Sequence, residues 1–378
     1  MKVCASAYLL RGTALGGGRS RFPRYRLDHS NADAGIFAAQ LYLEAINVLG
    51  SKTEPPRPSC FTDMANDVPA FLELYCKDKK FEDNKDQCQM LTSIQFDVMR
   101  LKAEKTVEQA DGQADAGKSM DSVDNYRKGA EAYRELWMKY CEGPLSNKEK
   151  PPQCARADEI VYNMAKAYQA GRLLAKSISA RKILLDPKYG LEKSQLAQKA
   201  MYEIGGNYQA IAVYDAAAEW FERYAKDTSY KGESADQALS DAVVLRLGLG
   251  QEDEAITDAA NFNRYYGARK PAQAAQIAFA VAAHYGEKKD WDAVIKRLGG
   301  GMGVIDKQAT LDVRVQAHTL LARAYLNTKR GTSAAAEYGK VAGVWKDSDK
   351  AVNEIKGIKD EPEEAKTSPT RPRFGGRG

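Results

Sequence analysis

The sequence contains very little of what metal centres and most catalytic sites are built from. Three histidines occur in 378 residues, and neither an HExxH motif nor a CxxC pair is present, so a zinc ion has no ligand set with a recognised spacing. The glycine-rich stretches at 16–19 and 299–302 do not lead into the GK[ST] that completes a phosphate-binding loop. His284 and His318 fall inside predicted helices near tyrosines and are expected to be packed or half-exposed. We expect no metal, no cofactor and no catalytic residue, and we predict that the chain is not an enzyme.

Long apolar runs, proline and strand-like alternation are also scarce. No run approaches the roughly 18 uninterrupted apolar residues that a membrane span requires, so we expect no transmembrane segment. The chain contains only 13 prolines, while hydrophobic residues make up 44% of it. Helical apolar spacing with few helix breakers is typical of an all-α protein, which is the fold class we predict.

Basic charge is scarce in the central part of the chain. The net charge of +5 arises at the two ends, since residues 31–365 hold 46 Lys and Arg against 50 Asp and Glu. A protein that binds nucleic acid concentrates its basic charge on the folded body. We therefore expect no nucleic-acid partner.

What the sequence does contain is a regular helical pattern, clearest in MYEIGGNYQAIAVYDAAAEWFERYAKD. Apolar and small residues recur there at helical offsets: Met201, Ile204, Gly205, Tyr208, Ala217, Phe221 and Tyr224. The spacing predicts two antiparallel helices that cross closely at Gly205 and Ala217. A bulky residue at either position is expected to destabilise the protein, because overpacking typically costs about 1–3 kcal/mol.

The pattern recurs along the second half of the chain. We call the residue aligned with Tyr208 the anchor of each unit of the pattern, and the anchors are Tyr168, Tyr208, Arg246, Tyr285 and Tyr325. The period is therefore near 39. Two units depart from the pattern, because Arg246 replaces an anchor tyrosine and Arg181 stands where the second helix of its unit should carry an aromatic residue.

Residues that begin helices support these boundaries. Ser234 stands three residues before Gln237, the spacing of a capping box. Pro271 fits the first turn of a helix, and Asp290 can cap the helix that starts at Trp291.

The recurring residues are close to the pattern W-x2-L-G-x2-Y…A-x3-F, so residues 155–347 resemble tetratricopeptide-repeat (TPR) proteins. The usual TPR period is about 34 residues, so helices or loops here should be longer. The resemblance implies a right-handed superhelical solenoid of antiparallel helix pairs, whose concave surface binds peptides or protein segments. Several stretches are also similar to repeat proteins of the Gram-negative envelope, including those linked to gliding motility in myxobacteria.

The first 154 residues and the last 31 differ from this repeat region. Apolar spacing in the first part predicts helices near 32–49, 60–76, 88–112 and 120–141. The resulting division of the chain is a disordered basic segment at 1–31, helical repeats with cysteine-flanked loops at 32–154, TPR-like repeats at 155–347, and a short helix with a disordered basic tail at 348–378.

Four of the six cysteines form two similar arrangements. In each, a helix ends in Tyr-Cys, a polar loop follows, and a second Cys precedes the next helix, at Cys76 and Cys88 and again at Cys141 and Cys154. We predict disulfides Cys76–Cys88 and Cys141–Cys154, which imply an oxidising compartment. The alternative is a set of reduced thiols in a cytoplasmic protein.

The cellular location depends on that choice. Disulfides predict a periplasmic or outer-membrane-associated protein, whereas reduced thiols predict a cytoplasmic one. The apolar run near the start is interrupted by Arg11 and no clean cleavage site follows, so an export signal is left open. The pairing of Cys4 and Cys60, the oligomeric state and the identity of the partner are left open as well.

The repeat register indicates which residues could meet a partner. Those at fixed offsets from the anchors, on the face of each first helix turned away from its own second helix, are Tyr162, Lys166, Gln169, Tyr202, Gln209, Phe279 and Arg323. Rings and amides side by side suit an extended peptide. Alternatively, Tyr162 and Tyr202 pack against neighbouring repeats.

The function we predict is that of a non-catalytic scaffold or assembly factor in a bacterial envelope complex. One alternative is a cytoplasmic chaperone-like adaptor. Another is a repeat domain that serves a cell-wall enzyme, although the sequence leaves no room for a compact catalytic domain with a buried acid.

Overall fold

A computed structural model describes residues 33–51, 59–77 and 83–346 of the chain. Within these ranges every regular element is a helix and no strand occurs, which confirms the predicted all-α fold of antiparallel helix pairs. None of the described helices combines the length and the apolarity needed to cross a membrane. The predicted disordered segment at 1–31 and the predicted short helix and disordered tail at 348–378 lie outside the described residues. The described helices form two compact units, within each of which most helices pack against their neighbours along the chain.

The first unit comprises the described residues up to Leu173 together with Asp186–Leu191. Its helices are α1 (Asp33–Ser51), α2 (Ser59–Tyr75), α3 (Lys85–Asp115), α4 (Ser119–Tyr140), the short α5 (Glu142–Ser146) and α6 (Ala157–Ala170). The four helices predicted in this half are all present, with ends that shift by a few residues. The unit ends inside the first predicted repeat, because α6 packs against α4. The predicted domain boundary at 154/155 stays a prediction.

Both predicted cysteine pairs lie at disulfide distance in the first unit. Cys76 directly follows α2 and is bonded to Cys88 in the first turn of α3, with Cα atoms 5.6 Å apart. Cys141 directly follows α4 and is bonded to Cys154, with Cα atoms 5.7 Å apart. Each bond thus closes the connection between two consecutive long helices. Cys60 is buried in α2, and Cys4 lies outside the described residues.

The second unit comprises Leu174–Leu185 and the described residues from Glu192 onward. Its helices are α7 (Leu174–Leu185), α8 (Gln195–Ala210), α9 (Tyr214–Asp227), α10 (Ala235–Gly248), α11 (Glu252–Tyr266), α12 (Pro271–Glu287), α13 (Trp291–Gly299), α14 (Met302–Gln308), α15 (Leu311–Asn327) and α16 (Gly331–Lys346). From α7 to α13 each helix packs against the next, and α15 packs against α13, α14 and α16. Isolated amphipathic hairpins cannot bury their apolar faces, so this stacking builds the core.

A recurring turn marks the repeat period in the structure. After each anchor, the backbone N–H five residues on donates to the anchor's carbonyl, as Val213 does to Tyr208 (3.0 Å) and Asp290 to Tyr285 (3.0 Å). The residue four after the anchor takes a positive φ each time: Arg172, Ala212, Gly250, Lys289 and Lys329. Both features recur at every predicted anchor, so the period near 39 read from the sequence is also the period of the backbone.

The predicted helix starts are correct, but one predicted cap is wrong. The Asp290 carboxylate accepts from the Ala293 N–H (3.0 Å), and Pro271 is the first residue of α12. Ser234 precedes α10 as expected, yet its side chain makes no cap hydrogen bond. The amide of Gln237 donates instead to the carboxylate of Asp241, one turn further on (2.7 Å), so the capping box does not form.

Candidate interaction surface

The close helix crossing predicted at Gly205 is present in the second unit. A Cβ atom added to Gly205 would lie 2.6 Å from ring carbons of Phe221 in α9, and Ala217 is fully buried. A Cβ atom on the adjacent Gly206 would meet nothing within 4 Å. Helix α8 therefore turns one side to its partner helix and the next to solvent, in the predicted register.

The solvent side of the first helices in the second unit is defined by the residues two before and one after each anchor, and we call it the outer face. Its exposed members are Gly206, Gln209, Val244, Arg323 and Leu326. Val244 in α10 is 60% exposed and Leu326 in α15 is 52% exposed. Exposed outer-face positions thus include apolar side chains, an amide and a guanidinium, residue types that are expected where a protein surface meets a partner.

The outer face is less open at its other three positions, Leu247, Ala283 and Gly286. Leu247 in α10 is buried. A Cβ atom on Gly286 in α12 would lie 2.6 Å from a methyl carbon of Leu320 in α15. Close helix contact there leaves less room for a partner than at Val244.

The two predicted aromatic contacts of the second unit lie partly in its core. The ring of Tyr202 is half-buried, with its centroid 5.4 Å from that of Phe221 and 5.5 Å from that of Tyr224. Burial raises the pKa of Tyr202, and the nearby Asp241 carboxylate raises it further. Phe279 is half-buried against the apolar cluster of α12 to α15. Phe221 and Tyr224 both belong to α9, the second helix of the same repeat, so Tyr202 does not lie on the face turned away from that helix as the register predicted. The contact of Tyr202 with a partner stays a prediction.

Three of the seven predicted contact residues belong to the first unit, on α6. Tyr162 is 7% exposed, and the ammonium of Lys166 lies 5.8 Å from the centroid of its ring. Gln169, one turn further along the helix, is half-buried. The structure thus divides the predicted set, with three residues on α6 and Tyr202, Gln209, Phe279 and Arg323 in the second unit.

Sequence reasoning missed two buried ion pairs at the positions that depart from the repeat pattern. Arg181 in α7 is fully buried, donates to Glu203 in α8 (2.7 Å) and also contacts Ser177. Arg246, in the anchor position of α10, donates through Nε and Nη2 to the two carboxylate oxygens of Glu222 in α9 (2.6 and 2.9 Å). Both arginines occupy positions where the repeat pattern has an aromatic residue. This substitution could have predicted an ion pair between helices.

The two histidines of the second unit also join helices. His284 Nε2 lies 3.1 Å from Glu252 Oε1, and Lys288 donates to the same carboxylate. Hydrogen bonds from Lys288 and then His284 lower the pKa of Glu252 to about 2. The ring of His318 lies between the carboxylates of Glu337 (2.5 Å) and Asp306 (2.7 Å). In the part of the chain that is described, no group of three His, Cys, Asp or Glu residues could hold a metal ion.

Comparison with known proteins gives structural similarity only. No family model matches the sequence, and no curated protein matches it either. Among solved structures, the chain is similar to BtubC (BKLC) from P. vanneervenii, with 13% identity over 64% of this chain and 93% of that one, at a TM-score of 0.36. It is also similar to a putative kinesin light chain from Podosopora anserina with nearly identical TPR-like repeats, with 14% identity over 55% and 98% and a TM-score of 0.35. A Rap protein complexed with Competence and Sporulation Factor matches 88% of this chain and 97% of its own, with 13% identity and a TM-score of 0.30.

Proposed function

We propose that this chain is a non-catalytic scaffold that binds segments of protein partners on the outward faces of its first helices. The observation that carries the proposal is the exposure of Val244 and Leu326 at outer-face positions of the repeat register, where Gln209 and Arg323 are exposed as well. Apolar side chains lose water on contact with a partner, while an amide and a guanidinium can pair with a partner's backbone and carboxylates.

The proposed contacts are assigned to each unit separately. In the first unit they are Tyr162, Lys166 and Gln169 on α6, and in the second unit they are Tyr202, Gln209, Phe279 and Arg323. The exposed Gln209 and Arg323 can meet a partner directly. The rings of Tyr202 and Phe279 are half-buried, so only part of each ring can meet a partner.

We further propose that the scaffold works in an oxidising compartment of a bacterial envelope. Support comes from the two cysteine pairs, whose Cα atoms are 5.6 and 5.7 Å apart, and from the resemblance of the sequence to envelope repeat proteins. Disulfides form and persist in such compartments and are rare in the cytosol. Mass spectrometry of protein alkylated at once on cell lysis tests this step, since four alkylated thiols at these positions would favour a cytoplasmic adaptor instead.

Binding can be tested with two matched valines. Cross-linking in fractionated cells identifies the partner and its compartment, and the purified pair is then measured with Val244→Asp and with Val304→Asp. Val304 lies in α14, outside the outer face, and is 57% exposed, close to the 60% of Val244. We expect Val244→Asp to weaken binding at least tenfold, since it places an unpaired charge in an apolar contact, and Val304→Asp to change it little.

The same two variants also define the results that would contradict the proposed binding surface. Equal affinity for Val244→Asp and the unmodified protein would show that the outer face is not where the partner binds. Equal loss in both variants would show a nonspecific effect of surface charge. Melting curves of both variants are needed alongside, so that weaker binding is not confused with loss of fold.

A further inference from the structure

Asp258 in α11 is a buried acid that the proposed function does not use. Its side chain is 6% exposed, and its Oδ2 atom is inaccessible to water and accepts no hydrogen bond from a donor among the described residues. Aspartate is almost never buried this deeply without a pairing base or a proton. In the two adjacent repeats the residue twelve after the anchor is Trp220 or Arg297, whereas the last repeat carries another acid there, Glu337.

The base that acts on Asp258, Arg246, is already engaged by another acid. Arg246 of α10 holds the carboxylate of Glu222 with two hydrogen bonds and donates its third, from Nη1, to the side-chain oxygen of Gln251 (2.6 Å). Asp258 lies next to Glu222 and interacts with it as a like charge. Two carboxyl groups therefore share one guanidinium in this cluster.

The surroundings add negative charge. Glu254 on α11 acts on Asp258, and Glu219 on α9 acts on Arg246. The phenol of Tyr230, in the connection between α9 and α10, also lies within electrostatic reach of Asp258. Arg246, on α10, is the base that acts on Asp258. Two ionised acids close together in a poorly hydrated site repel each other.

We propose that Asp258 keeps its proton in the folded second unit, against the carboxylate of Glu222, and that loss of this proton to water at alkaline pH weakens the packing of α9, α10 and α11. The neutral acid removes one of the two negative charges that face Arg246. Once the proton of Asp258 is released, the cluster carries two carboxylates for one guanidinium. Asp258 Oδ2 then becomes a buried charged atom without a donor.

The direction of the pH dependence follows from the folded and unfolded states. Burial, and then the charge of Glu222, raise the pKa of Asp258 to about 8, from 3.8 for the unperturbed side chain. Between these values the folded chain binds a proton that the unfolded chain has lost. Stability from this group is therefore highest at acidic pH, falls as the pH rises from about 4 to about 8, and changes no further above that.

Urea unfolding between pH 5 and pH 9 tests the proposal on the full chain. For the unmodified protein, we expect Asp258 to raise the unfolding equilibrium constant by up to about tenfold per pH unit below pH 8. Asp258→Asn keeps the shape of the side chain and removes its titration. The unfolding equilibrium constant of this variant should therefore rise less steeply with pH, by up to about tenfold per pH unit below pH 8. Asp253→Asn is the control, since Asp253 is an exposed acid on the same helix.

An infrared measurement keeps the proposal testable if Asp258→Asn folds poorly. The unmodified protein at pH 6 should show the C=O stretch of a protonated carboxylic acid, and this band should disappear above pH 8. A pH profile of Asp258→Asn parallel to that of the unmodified protein, or the absence of the band at pH 6, would overturn the proposal.

Discussion

The adjacent glycines of α8 differ in what surrounds them. Gly205 faces the ring of Phe221 across the helix crossing, whereas Gly206 lies on the outer face with open space around it. A methyl group added at the first position must displace an aromatic ring that is itself buried, and a methyl group at the second meets only solvent. Neighbouring positions of one helix should therefore respond to the same substitution in opposite directions.

We predict that Gly205→Ala lowers the free energy of unfolding by about 1–3 kcal/mol, because the new Cβ atom overpacks the crossing. Gly206→Ala should raise it by about 0.5–1 kcal/mol, since alanine loses less backbone entropy than glycine in a helix. Urea unfolding measured by circular dichroism compares the two. Destabilisation of similar size in both variants would mean that the register assigned to α8 is wrong.

Buried and exposed arginines of the second unit offer a second comparison at this scale. Arg181 is fully buried and bonded to Glu203, whereas Arg223 forms an exposed pair with Asp227 in its own helix (3.3 Å). Arg181→Met removes the buried guanidinium that pairs with the Glu203 carboxylate and should cost about 3 kcal/mol of unfolding free energy. Arg223→Met should cost less than about 1 kcal/mol.

The same unfolding experiment measures both arginine variants. The salt dependence is a further check, because the exposed pair is screened by added salt and the buried pair is screened much less. If Arg181→Met were as stable as Arg223→Met, the buried pair would contribute nothing net to the packing of α7 and α8.

At the scale of the helix pair, the recurring turn uses residues that are poorly suited to it. A positive φ suits glycine, yet four of the five turns place another residue there, including Lys289 and Lys329. The left-handed conformation costs an ordinary residue roughly 1–2 kcal/mol. Each such turn therefore raises the free energy of the folded backbone locally, and the packing of its two helices offsets this increase.

We predict that Lys289→Gly stabilises the protein by about 0.5–1 kcal/mol, since relief of backbone strain exceeds the entropy that glycine adds to the unfolded chain. Lys288→Gly should have the opposite sign, because Lys288 has a helical φ and bonds to Glu252. Thermal unfolding of the two variants decides the matter. A lower melting temperature for Lys289→Gly would contradict the strain described here.

At the scale of the whole molecule, the two units are stabilised by different means. Both disulfides lie in the first unit, whereas the buried ion pairs of Arg181 and Arg246 lie in the second. Each unit also has its own apolar clusters. A reducing agent should therefore act on one unit and alkaline pH on the other.

We predict that reduction lowers amide protection in α3 and α4 and leaves α10 and α11 unchanged. Closing a loop of the size between Cys141 and Cys154 stabilises by about 3 kcal/mol in the chain-entropy estimate. Hydrogen exchange with mass spectrometry on the full chain, with and without dithiothreitol, reports both units in one experiment. The double variant Cys141→Ser and Cys154→Ser should reproduce part of the effect without a reductant. Equal loss of protection in both units would contradict this assignment.

Local features of the sequence were sufficient to predict the helices, the repeat period and the cysteine pairs. Helix boundaries follow from periodicity and from residues such as Pro271 and Asp290, which act on neighbours a few positions away. Gly205 was identifiable because a small residue between large apolar ones at helical spacing marks a close crossing. Cys141 and Cys154 were identifiable because one short loop separates them. Each inference needed only residues close together along the chain.

The tertiary structure alone decided which side chains of different helices meet. Arg246 has the same sequence offset as the anchor tyrosines, but only the packing of α10 against α9 and α11 brings it to Glu222 and Asp258. The burial of Tyr162 and the exposure of Val244 were also settled in this way, since both occupy outward-facing positions in the repeat pattern. Burial depends on the size and position of residues in neighbouring helices, some twenty or more positions away, and no local pattern specifies that.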